Sequence, residues 1–129
     1  MILQTLINQA WELKKTGDRA GALKLYGEAF DILADEASAH AHSQSGTILD
    51  EMTANGEKVR TITPKLFDET KKYFKQDKVA CTISNNIAVI YAELGNKEYA
   101  KNFFEQAIEL TPDEVEYNDP KIGLEVLNN

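Results

Sequence analysis

The chain has 129 residues, a net charge of −7 and a single cysteine. That length suits one domain with a real core, and the negative balance argues against nucleic acid and anionic membrane as partners. Cys81 has no partner for an intrachain disulfide, and no apolar run approaches the ~20 residues that span a bilayer.

The opening stretch, MILQTLINQAWELKK, has neither a basic leader region nor a small-residue cleavage site, which predicts a cytoplasmic protein. Its apolar spacing predicts a helix whose core stripe is Leu6, Ala10 and Leu13. Trp11 and Ile7, four apart, form a second ridge roughly 110–150° round from that stripe, flanked by Gln4, Asn8 and Lys15. Gly17 can take the left-handed conformation that ends a helix, and Asp18 can cap the next one. That second helix carries Ala22, Tyr26, Ala29 and Ile32 at helical spacing. In ASAHAHSQSGTILDEM, Ala41, Ser45, Ile48, Leu49 and Met52 share one helical face. Asn55-Gly56 signals a turn, with room for a short extended piece around Val59 and Ile62. Thr63 and Pro64 then read as the cap and first position of another helix, with Leu66, Phe67, Thr70, Tyr73 and Phe74 on one side. Lys71, Lys72, Lys75 and Lys78 make a basic run there, whereas residues 81–129 hold 9 acids against 3 bases. The run therefore reads as a solvated face, or at most as one that balances the acidic end in self-association. Near the end, Asp119 and Pro120 read as the cap and first position of a last helix, whose Ile122, Val126 and Leu127 would seal the fold.

Two units of this chain match at an offset of 78 residues. Ala10, Leu13, Gly17, Ala22, Tyr26, Ala29 and Ile32 correspond to Ala88, Tyr91, Gly95, Ala100, Phe104, Ala107 and Leu110. Each unit reads as a helix hairpin, with alanines where backbones approach and an aromatic filling the space to its neighbour. One such hairpin cannot bury its apolar face alone, so the unit must stack. In these residues, and in Pro112, the downstream unit resembles the tetratricopeptide repeat family. The upstream unit departs from it at Leu13, where an aromatic is usual, and at Ala34, where a closing proline stands in the family. The resemblance implies an all-α, right-handed solenoid of about three hairpins, over residues 3–36, 37–78 and 81–114. An insertion near 53–63 and a cap helix over 119–127 would complete one domain spanning 1–129.

No phosphate-cradling glycine loop or nucleophile elbow occurs, and Cys81 reads as a small buried hydrophobe. His40 and His42 stand about 200° apart on a helix, which does not suit one metal. No catalytic residue, metal site or cofactor is expected. The resemblance implies a non-enzymatic module that binds a protein or peptide in a concave groove lined by first helices. Groove-facing asparagines of the family hold a partner's backbone, which points to Asn8 and Asn86, nine before their glycines, with Asn85 adjacent and Gln44 as a middle counterpart. The groove set is completed by Gln4, Ile7, Trp11, Lys15, Thr82, Val89 and Glu93. Trp11 either anchors a partner there or packs inward as core. Glu51 and Glu93 stand where cations would be needed to hold an acidic tail, which disfavours that ligand. The alternative is self-association into a homo-oligomer through the ends or the 53–63 insertion.

Overall fold

The computed structural model describes residues 2–45, 50–52, 58–60 and 64–129. Six helices dominate them: α1 (Ile2–Lys15), α2 (Arg19–Ser45), α3 (Pro64–Phe74), α4 (Val79–Glu93), α5 (Lys97–Glu109) and α6 (Asp119–Asn128). Between α2 and α3 a two-stranded antiparallel ribbon pairs β1 (Asp50–Met52) with β2 (Lys58–Arg60), placing Glu51 opposite Val59.

The two matched hairpins, α1–α2 and α4–α5, are built alike. Gly17 (φ 93°) and Gly95 (φ 82°) are left-handed, as a helix-ending turn requires. In the first, the Asp18 amide donates to the Leu13 carbonyl and Gly17 to Lys14; in the second, Asn96 donates to Tyr91 and Gly95 to Ala92. The side chains of Asp18 and Asn96 then accept from the amides three residues on, Gly21 at 2.9 Å and Tyr99 at 3.1 Å, which starts the second helix. The equivalent alanines, Ala10 with Ala88, Ala22 with Ala100 and Ala29 with Ala107, are all fully buried.

The upstream unit departs from the expected plan after Ile32. Helix α2 does not stop there; it runs for 27 residues, against 13 for α5. The cause is in the sequence. Ala34 stands where the downstream unit has Pro112, and no glycine or proline occurs between Ala34 and Ser45. The stretch expected to open a middle hairpin is therefore the second half of α2. Its Leu33, Ala37 and Ala41 are buried on one stripe. Against it lies α3, with Phe30 and Phe74 stacked at 5.4 Å and the Tyr73 hydroxyl donating to Glu36 at 2.9 Å. His40 is half-buried against the Tyr73 ring, and Met52 belongs to β1 instead of a helical face. Among the described residues, one helix and one ribbon occupy the place expected for a middle hairpin. The readings at Ile48, Leu49, Asn55, Gly56, Ile62 and Thr63 lie outside the described residues.

The two matched units touch directly. Ile83, Ile87 and Ile90 of α4 share one core with Ala22, Tyr26 and Ala29 of α2. Asn86 donates to the Tyr26 hydroxyl at 3.3 Å, and the Glu93 carboxylate meets Arg19 at 2.7 Å and Lys14 at 3.7 Å. The lysines of α3 and the turn after it engage the acidic end within the chain: Lys71 with Glu109 at 3.2 Å, Lys75 with Asp113 at 2.5 Å, and Lys78 over the Tyr117 ring.

Helix α6 begins one residue earlier than expected, with Asn118 as its cap and Asp119 as its first residue. Leu124 and Leu127 pack on Ala88, Ala100 and Phe104, and Gly123 lies so close to the Phe104 ring that a methyl group there would overlap it. Ile122 and Val126, expected to seal this end, instead face solvent at 55% and 68% exposure.

Candidate partner-binding groove

The sequence-derived site residues fall into pairs that occupy equivalent places on α1 and α4: Gln4 and Thr82, Ile7 and Asn85, Asn8 and Asn86, Trp11 and Val89, Lys15 and Glu93. Equivalence of position does not give equivalence of environment, because α4 has neighbours on both sides.

On α1 the set is open. Trp11 is 47% exposed, with the Lys14 ammonium 5.6 Å from its ring centre, and Ile7 lies half-buried one turn before it. Gln4 is exposed and donates to the Asn8 side chain at 2.9 Å, and Lys15 is exposed beside Glu12. An indole held in water with a cation at its face offers an apolar surface and a charged one to the same visitor.

On α4 the set is engaged. Asn86 spends its donor on Tyr26, and Glu93 is neutralised by Lys14 and Arg19. The Tyr117 hydroxyl comes over Thr82 and Asn85 from the segment between α5 and α6. Burial pushes the Tyr117 phenol above its ordinary value, and those two polar neighbours pull partly the other way. Asn85 is 6% exposed and its side-chain oxygen has no partner. Val89 is half-buried and lines a cleft of about 430 Å³ with Ala92, Phe104, Val126 and Leu127. Gln44 stands near the end of α2, on a second helix and not a first one. The asparagines therefore do not form one open ladder: Asn8 faces solvent, Asn85 is covered and Asn86 bridges the two hairpins.

A comparison of the units carries a signal that the shared residues conceal. The apolar residues of α4 that face the first hairpin, Ile83, Ile87 and Ile90, have Thr5, Gln9 and Glu12 as their α1 counterparts. The outer side of α1 is thus polar where the same side of α4 is buried. It rims a hollow of about 440 Å³ floored by Leu13 and Leu25. Among the described residues, no three His, Cys, Asp or Glu side chains are grouped to hold a metal ion, and Cys81 is buried with its thiol on the Lys78 carbonyl.

The structure thus defines a stack of similar helix hairpins. Residues 82–114, a stretch comprising nearly all of α4 and α5 and closing just after Pro112, match the family model for the tetratricopeptide repeat. No curated protein and no solved structure matches the chain. The family typically provides non-catalytic surfaces for protein–protein interaction. No helix among the described residues is long and apolar enough to cross a membrane.

Proposed function

We propose that the protein is a non-enzymatic interaction module that holds a segment of a protein partner against the face of α1 displaying Trp11, Gln4 and Lys15. The observation that carries this reading is the exposure of Trp11, the sole tryptophan, on a well-formed helix with Lys14 at its ring. Large aromatics at the centre of an interface often dominate its energy. Gln4 and Asn8 add amides that both donate and accept, which suits an extended segment with unpaired backbone groups. The same reading takes the chain as one cytoplasmic domain whose hairpins wind right-handed, with α1 as the first groove helix and Val89 and Glu93 extending the groove along α4. End-to-end self-association through α1 is disfavoured by Thr5, Gln9 and Glu12, because a terminal repeat with a polar outer face resists a further neighbour.

A photo-crosslinking residue at position 4, with a control at Lys24 on the exposed side of α2, tests this in extract of the source cell. Protein adducts at position 4, absent at position 24 and lost on Trp11→Ala, are expected. Adducts of equal yield at both positions, or indifferent to Trp11→Ala, would remove α1 as the binding face.

A further inference from the structure

The end of the fold opposite α1 is unlike the polar one. The outward face of α6 presents Ile122 and Val126, one turn apart and more than half exposed, and Val126 forms the lip of the cleft lined by Val89, Phe104 and Leu127. An apolar ridge beside an apolar hollow on one helix is a self-complementary shape. Lys121 and Glu125 flank the ridge along the same edge, both exposed, and neither has a salt-bridge partner among the described residues.

We infer that α6 is a homodimer interface, in which two copies of this chain pair their α6 helices antiparallel about a two-fold axis. The antiparallel sense follows from the order of residues. It sets Ile122 of one copy against Val126 and the cleft mouth of the other. It also brings the flanking edges of the two helices together, so that Lys121 of each copy meets Glu125 of its partner. A parallel two-fold pair would turn these edges to opposite sides of the seam, so that neither Lys121 nor Glu125 would meet its opposite charge. The isologous arrangement is also the one that closes. A head-to-tail contact would set the α6 ridge against the α1 end, where Thr5, Gln9 and Glu12 stand around the hollow floored by Leu13 and Leu25, and would grow without limit. The two-fold pairing leaves Trp11, on the helix at the far end of the chain, free in both copies, and it covers the cleft beside Val89, so that in the dimer a partner segment is held by α1 without extending along α4.

Sedimentation equilibrium of the full chain, from micromolar to millimolar concentration, reads the association directly. A monomer–dimer equilibrium is expected, with no higher species. Val126→Glu should weaken it at least about ten-fold by placing a charge in the ridge, while the melting temperature of the dilute monomer stays unchanged. Lys121→Glu should weaken the dimer, and Lys121→Glu combined with Glu125→Lys should restore it, because the exchange preserves each cross-pair. A chain that stays monomeric throughout, a dimer that survives Val126→Glu, or a double exchange that fails to restore what Lys121→Glu lost would each overturn the proposal.

Discussion

Gly123 and Tyr26 show how much single side chains decide here. Gly123 is required by proximity: its lack of a side chain lets α6 rest on the Phe104 ring, which is itself 3% exposed. Gly123→Ala should force the two helices apart and cost about 1–3 kcal/mol, an overpacking penalty measurable by urea unfolding. An unchanged midpoint would show that α6 is not seated on Phe104. Tyr26 is fully buried, and burial raises its phenol above the ordinary value of 10.0, against the opposing bond from Asn86. Tyr117 is raised by burial too. A raised tyrosine favours the neutral hydroxyl in the folded state, so its contribution is fully present below pH 10 and is lost as pH climbs through the folded value. Thermal stability should therefore hold from neutrality to about pH 10 and then fall, and Tyr26→Phe should make that alkaline fall shallower. An equally steep fall in Tyr26→Phe would show that this hydroxyl does not drive it.

Among the elements, α2 sets the plan. A proline substituted at Ala34 meets a helix interior, so it removes a backbone hydrogen bond and clashes with the preceding turn. Ala34→Pro should cost about 3 kcal/mol or more and lower the helical circular dichroism signal. Were α2 to end near residue 34, as α5 ends before Pro112, the substitution would be nearly neutral. The hairpins, their glycine turns, their capping side chains and their buried alanines were legible in the sequence, because each rests on a local rule that fixes residue type and spacing together. The second half of α2 was not. Its face Ala37 and Ala41 continues the stripe of Leu33, yet the same residues also suit a new helix, and periodicity alone does not say whether a helix has been interrupted. The missing proline at position 34 was the readable clue. The candidate groove was less legible for a different reason. Position on a first helix left Trp11 open between groove and core, and its exposure appears only in the structure, while Tyr117 and Tyr26, which neighbour Asn85 and Asn86, come from distant stretches of chain.

At the scale of the molecule, the two hairpins share a core and a few polar links, so they should unfold together. A single calorimetric transition is expected, and two resolved transitions would mean that the hairpins are separable. Tyr26→Phe removes the hydroxyl that accepts from Asn86 and should cost about 1 kcal/mol while preserving that single transition. Repeat arrays ordinarily grow along their axis, each unit leaning on the one just before it in sequence. Here the array has grown sideways: α2 lengthens, a ribbon and α3 follow, and the chain then returns to the hairpin it left. The bond from Asn86 to Tyr26 spans 60 residues and that from Arg19 to Glu93 spans 74. That detour bears on speed. Helical repeats usually fold fast because their contacts are local, but this pair cannot dock until a long loop of chain has closed. Refolding should accordingly be slower than in an uninterrupted pair of such hairpins, with α1–α2 and α4–α5 each formed early and their union as the late, rate-setting event. Stopped-flow refolding of wild type beside Asn86→Ala would register this: a union that comes after the transition state leaves the folding rate unchanged and speeds unfolding, whereas a union at the transition state slows folding.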